Sequence, residues 1–345
     1  MAIEKITIAS DPAIYECFPD VGITQSGRLV VVYRESDSHS ASAFSHLVWR
    51  VSDDFGRTWS DKRYLARSEK ASGVLQKWNC PRISRLRDGR MVICCDHYPQ
   101  PPGERFGERP PLVYLWFSDD NAESFSGPVP TPVEGIVPDR LVELRDGAWL
   151  LAAHRGFPPD WRLVQRVWRS DDQGRSWQGP YTVGDKEGLN LCEASIIQLD
   201  DGTLVAYMRE NSGRGWPAFK SISRDGGRTW DGPYETLMGG AHRPTAGILP
   251  SGNVLVTYRY HHGAGARKLN TFAYLESQVS AAETRWGKQS GAVLPLDHDR
   301  SPRADTGYTG WVVLPDGVTI FVVNYIVDDA PMAQIRGYYL YERMF

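Results

Sequence analysis

Six times along the 345 residues a glycine recurs at the same kind of corner, at Gly27, Gly89, Gly147, Gly202, Gly252 and Gly317, and the residues at fixed offsets from it are charged or polar. An alternating apolar run precedes the corner, as in Ser195–Leu199, and another follows it, as in Thr203–Met208, which is the pattern of a β-hairpin. Successive corners lie 62, 58, 55, 50 and 65 residues apart, room for four short strands in each unit. Repetition at this period constrains the fold before any other feature, because one such unit cannot bury its own apolar faces and must stack on its neighbours.

A second repeat falls later in four of the units. It reads SDDFGRTW from Ser52, SDDQGRSW from Ser170 and SRDGGRTW from Ser223, with a worn copy, SDDNAESF, from Ser118. The pattern S-x-D-x-G-x-[ST]-W is the Asp box, a turn between the third and fourth strands of a propeller blade. Its Asp accepts backbone N–H bonds, its Gly takes a conformation costly for other residues, and its Trp fills the gap between sheets. The box speaks for architecture and is nearly silent about chemistry. After Gly317 the chain holds only two more strand-like runs, so Glu4–Ala9 is expected to supply the last blade's fourth strand and to close the ring without an open edge.

These features predict an all-β fold: one six-bladed propeller of four-stranded antiparallel blades spanning 1–345, with no linker and no second domain. The 33 Gly, 23 Pro and 12 Trp suit many short strands and tight turns, and no long run has a helical period. Without an apolar stretch of about 18 residues or a signal-peptide pattern, the expectation is a cytoplasmic chain with no membrane partner. Cys17, Cys80, Cys94, Cys95 and Cys192 are odd in number and lack C-x-x-C spacing, so buried reduced thiols are expected, with no disulfide framework, metal site or cofactor. The net charge of −3 argues against a nucleic-acid partner.

Residues before the first strand and after the second of each blade share one face of the ring. Seven after the corner stand Arg34, Asp96, His154, Arg209, Arg259 and Asn324; seven before stand Asp20, Arg82, Arg140, Ser195, Thr245 and Gly310; nine before stand Phe18, Cys80, Pro138, Glu193, Arg243 and Tyr308. With a strand period of two, the last two sets point the same way. The expectation is a single basin of Asp20, Arg82, Arg140, Glu193, Arg243 and Tyr308, rimmed by Arg34, Asp96, His97, His154, Arg155, Arg209 and Arg259. Satisfied ion pairs filling a narrow channel are the alternative for any one of them. Arg outnumbers Lys 31 to 8, and guanidinium suits two-pronged binding of a carboxylate, sulfate or phosphate, so an anionic ligand is expected.

On these residues the chain resembles the sialidase (neuraminidase) superfamily of six-bladed Asp-box propellers over essentially its whole length. CEASIIQLDDGTLVAYMRE from Cys192 looks like the family segment with a Glu at the start of a blade and a substrate-carboxylate Arg at its end, which implies those roles for Glu193 and Arg209. GYTGWVVLPDG from Gly307 is similar to the segment holding the nucleophilic Tyr, which implies that role for Tyr308. ARKLNTF from Ala266 resembles a strand opening with another carboxylate-binding Arg, which makes Arg267 a candidate beside Arg243. The family's F-R-I-P stretch is here ECFP, with Cys17 in place of Arg, leaving Arg34 or Arg82 as substitutes. The family's acid/base Asp lies in the loop that reads RESDSHS here, which offers Asp37, with His39 close by.

A Tyr hydroxyl, with a pKa of about 10, needs a carboxylate to take its proton, and Glu193 and Tyr308 share one offset two blades apart. A neutral nucleophile suits a substrate that already carries a carboxylate at its reacting carbon. The expected function is therefore a sialidase-like exo-glycoside hydrolase that releases a terminal acidic sugar from a glycan, with Asp37 or His39 as proton donor. Two other classes stay open: a polysaccharide lyase or uronate-linked glycosidase using His and Tyr on the same face, and a non-catalytic sugar-binding propeller.

Overall fold

All six corners form, each closed by a hydrogen bond of 2.9 to 3.1 Å from the glycine N–H to the carbonyl three residues before it. Each corner glycine has φ between 70° and 93°, the left-handed region that follows a type I turn in a short hairpin. The computed structural model describes residues 3–100, 110–261 and 269–345, with the side chain of Gln100 left aside.

The strands build six antiparallel sheets arranged as a β-propeller. In blade four, for example, Leu191–Gln198, Leu204–Glu210, Pro217–Ser223 and Asp231–Gly239 pair in order from the axis outward. The sixth sheet consists of Thr306–Val313, Thr319–Ile326, Gln334–Tyr341 and, as its outer strand, Glu4–Ala9, so the chain's first strand closes the ring. In blade two the inner strand is broken: Leu75–Trp78 and Arg82–Arg85 both pair with Met91–Gln100. Among the described residues helix is confined to short pieces such as Gln278–Ala282, and no described helix is long and apolar enough to cross a membrane. All five cysteines are free and buried.

The Asp boxes hold by one geometry. Asp225 Oδ1 accepts from the Ser223 hydroxyl at 2.9 Å and the Thr229 N–H at 2.9 Å, while Gly227 N–H donates to Ser223 Oγ at 2.9 Å. The worn copy keeps these bonds through Ser118, Asp120 and Ser124, although Ala122 stands in the glycine place at φ 61°. Box aromatics bridge neighbouring blades: Trp59 stacks on Phe321 with centroids 6.1 Å apart, and Phe125 meets Trp49 edge-on at 5.4 Å.

These turns make stability depend on acid. Although partial burial opposes ionisation, the hydroxyl and backbone N–H bonds hold Asp225 at about 2, below the unfolded value of about 3.9. A carboxyl depressed in the folded state contributes stability that is fully present above about pH 4 and fades as the pH falls toward 2. Asp225→Asn is accordingly expected to flatten the acid limb of thermal stability between pH 4 and pH 2. A wild-type and mutant pair with parallel acid limbs would contradict this.

Candidate functional site

The inner strands are interrupted where they reach the mouth of the ring. Pairing with the second strand slips between Cys17 and Asp20, Cys192 and Ser195, His242 and Thr245, and Gly307 and Gly310. At each bulge one side-chain-bearing residue is left-handed: Phe18 (φ 56°), Glu193 (52°), Arg243 (51°) and Tyr308 (58°), with Val137 (49°) in blade three. Each such residue costs roughly 1 to 3 kcal/mol, and bulges of this kind re-aim a side chain. The same strain in five blades turns Phe18, Glu193, Arg243 and Tyr308 toward a common point.

There the Tyr308 hydroxyl donates to Glu193 Oε1. Arg209 Nη1 lies 3.0 Å from the same carboxylate oxygen and 3.2 Å from Tyr308 Oη, and its other amino group bonds Asn211. Burial opposes charge on Glu193, yet Arg209 above all, with Arg243, holds it at about 2. Burial and the Glu193 charge push the Tyr308 phenol well above its ordinary value. The pair therefore rests as neutral phenol and carboxylate, aligned for proton transfer but with the base muted by Arg209. His154 fixes Glu193 from below: its Nδ1 accepts the Glu193 N–H at 3.2 Å, and burial lowers its pKa to about 4, so the ring stays neutral.

Two more guanidinium groups face Tyr308. Arg259 lies 4.7 Å and Arg243 5.9 Å from the ring centroid. Arg259 bonds Tyr325 Oη at 2.6 Å and the Thr306 carbonyl, whereas Arg243 donates through Nη2 to the Pro138 carbonyl at 2.8 Å. Arg243 Nη1, Arg209 Nε and Glu193 Oε2 are buried with no hydrogen-bond partner among the described residues. Unpartnered buried donors around one phenol are what an anion would satisfy.

The expected single basin divides into two tiers. Asp20, Arg82 and Arg140, expected to bind substrate, form a plug beneath the site instead. Asp20 accepts from Arg140 Nε at 2.9 Å and from Ile83 N–H at 2.9 Å, with Arg82 Nε at 3.4 Å. Arg82 spends its remaining donors on the Thr309 carbonyl and the Thr245 hydroxyl, both at 3.0 Å. Asp96 is likewise interior, accepting from Asn79 at 2.9 Å, and His97 packs against Trp78. The bulge explains the difference: it separates residues two positions apart into an upper and a lower layer that uninterrupted pleating would have merged.

Arg34, also expected to bind substrate, is fully buried. Its guanidinium lies 4.5 Å from the Phe18 ring centroid and donates to Asn79 Oδ1 at 3.0 Å and to the carbonyls of Ser38 and His39. Asp37 closes its own loop, accepting from Ser42 N–H at 2.8 Å, the Ser42 hydroxyl and Ala43 N–H at 3.1 Å, which hold it at about 2 against partial burial. His39 instead reaches to Asp305 of the adjoining blade six, its Nδ1 2.6 Å from Oδ2, and stands edge-on to Phe18 at 5.2 Å. Tyr15 donates to the same oxygen, and Tyr325 Oη lies 2.7 Å from Oδ1. Asp305 was not legible as a site residue, since its offset matches no other blade. Arg267 lies outside the described residues.

The class defined by this ring and mouth is a six-bladed BNR-repeat propeller with an acid–phenol–guanidinium centre at the axis. A family model described as BNR repeat-like domain matches residues 107–270, and no curated protein matches the chain. Among solved structures, a protein of unknown function from Dyadobacter fermentans superposes with a TM-score of 0.82 at 22% identity, covering 99% of this chain and 98% of that one. The Hadza microbial sialidase Hz136 gives 0.70 at 19%, covering 96% and 66%. The intramolecular trans-sialidase of Ruminococcus gnavus gives 0.63 at 13%, covering 94% of each chain. The chain thus has the six-bladed propeller fold of these structures, with a BNR repeat-like domain over residues 107–270.

Proposed function

We propose that the protein is an exo-acting glycoside hydrolase that releases a terminal acidic sugar with retention, Tyr308 being the nucleophile and Glu193 its base. The observation that carries this reading is the Tyr308–Glu193 hydrogen bond with Arg209 bound to both groups. A substrate carboxylate competes with Glu193 for Arg209 and also meets Arg243 and Arg259. As Arg209 turns to the substrate, Glu193 loses the charge that mutes it and becomes basic enough to take the phenolic proton. The phenol oxygen then attacks the anomeric carbon without the repulsion that a carboxylate nucleophile would feel from the substrate's own carboxylate. Sialidases among the structural neighbours favour a sialic or related nonulosonic acid, with uronic acid sugars as the next choice.

The test is incubation with glycosides of sialic and uronic acids, followed by mass and ultraviolet absorbance. Free acidic sugar without new absorbance is expected; an unsaturated product would instead establish a lyase, and no turnover of any probe a binding module. Arg243→Met is expected to raise KM by about tenfold or more, because it removes a charged contact worth roughly 1.5 to 3 kcal/mol, with kcat less affected. An unchanged KM would remove Arg243 from the carboxylate site.

A further inference from the structure

We infer that His39, oriented by Asp305, is the group that protonates the leaving oxygen and then activates water, in place of an aspartic acid. The inference rests on the retaining reading above. The loop that could supply a carboxylic acid has spent it: both Asp37 oxygens accept from Ser42, and Ala43 N–H takes a further place. The neighbouring His39 is the half-exposed side chain of this loop whose ring is fixed by the adjoining blade six, through Asp305. Its Nδ1 is committed to Asp305 Oδ2, which leaves Nε2 to exchange protons with a substrate.

The support is built on both sides. Asp305 is a largely buried carboxylate held at about 2: burial opposes its charge, and the His39 bond and Arg259 restore it. Its two oxygens take Tyr15, Tyr325 and Arg259 besides His39. Its backbone N–H is tied to Asp299 Oδ2 at 3.0 Å, and Asp299 also accepts from Ser301, Val327 and Asp328 N–H. From beneath, the buried cations Arg34 and Lys77 grip the carbonyls of Ser38, His39 and Ser40 in turn. Phe18 lies between the two reacting groups, with centroids 5.2 Å from His39 and 5.0 Å from Tyr308, so imidazole and phenol flank one aromatic ring.

The step balances as follows. Tyr308 oxygen bonds the anomeric carbon while its proton passes to Glu193; the carbon–oxygen bond to the leaving group breaks and that oxygen takes the proton from His39 Nε2. In the second half His39 removes a proton from water, hydroxide oxygen bonds the anomeric carbon, and Tyr308 leaves with the proton returned by Glu193. Asp305 is a positioning residue that never touches the sugar.

The experiment compares two sialosides, one with a 4-nitrophenol leaving group and one with lactose, in wild type, His39→Asn, Asp305→Asn, Asp305→Glu and Tyr308→Phe. Nitrophenolate departs without a proton, so His39→Asn is expected to lower kcat on sialyllactose by on the order of 100-fold or more while lowering that on the aryl sialoside by less than about tenfold. Asp305→Asn should show the same split with little change in KM, and Asp305→Glu should recover part of it. Equal losses on both substrates would overturn the inference, whereas full aryl turnover by Tyr308→Phe would overturn the reading beneath it. Proton NMR tests the dyad without turnover: a low-field imidazole proton is expected in wild type and absent in His39→Asn and Asp305→Asn, and a wild-type spectrum lacking it would overturn the dyad.

Discussion

Tyr308→Phe is expected to lower kcat by three orders of magnitude or more, roughly the loss of about 4 kcal/mol or more of transition-state stabilisation, while KM for an acidic-sugar glycoside changes little. The substitution removes one oxygen and keeps the ring that Arg259 and Phe18 pack against. Binding should survive because the arginines that face the substrate are untouched. Glu193 would keep its Arg209 partner but would have no phenolic proton to accept. If turnover instead stayed within tenfold of wild type, Tyr308 would be a wall of the pocket and the chemistry would belong elsewhere.

The second large effect lies in the plug. Asp20 is fully buried, and its ionised state is set by Arg140 and Arg82 against the penalty of burial. Asp20→Asn nearly conserves volume but leaves the buried Arg82 and the partly buried Arg140 without their carboxylate, so a loss of roughly 3 to 5 kcal/mol is expected. Gly310→Ala attacks the same contact by shape: a Cβ there would fall 2.0 Å from Asp20 Oδ1 and 2.8 Å from its Cα, in a region with no room to give. Urea unfolding should show both midpoints displaced downward with little change in slope. Midpoints near wild type for Asp20→Asn would mean that the plug tolerates its charges unpaired, and the division into a structural lower tier and a functional upper tier would lose its energetic basis.

The architecture was legible because its signals are local. A corner glycine, a box Ser and Asp two residues apart, and a terminal strand with no partner in its own unit each state their geometry within a few residues. Glu193, Tyr308 and Arg209 were legible through fixed offsets from the corner, since every blade repeats one path from axis to rim. The same offsets misplaced Asp20, Arg82 and Arg140, because alternation assumes an unbroken strand, whereas the pairing slips between Cys17 and Asp20, the inner strand of blade two is broken between Trp78 and Arg82, and Val137 is left-handed before Arg140. Asp305 escaped for another reason. It sits in a connection held by Asp299, and its partner His39 is 266 residues away, so nothing in either segment announces the pairing. Arg34 shows the converse: it has the right residue type at the right offset, yet its head is consumed by the loop that carries His39.

The most direct test of the account is to trap the sugar on the protein. A fluorine beside the anomeric carbon slows both steps through their oxocarbenium-like transition states, and a good leaving group restores the first, so a covalent intermediate accumulates. Incubation with a 3-fluoro-sialosyl fluoride, followed by peptide mass mapping, is expected to place one fluorosialosyl group on the peptide bearing Tyr308, with none on Tyr308→Phe. Wild-type protein that processes the parent sialoside but carries the label on another residue, or carries none, would contradict the claim that Tyr308 and Glu193 form the reacting pair.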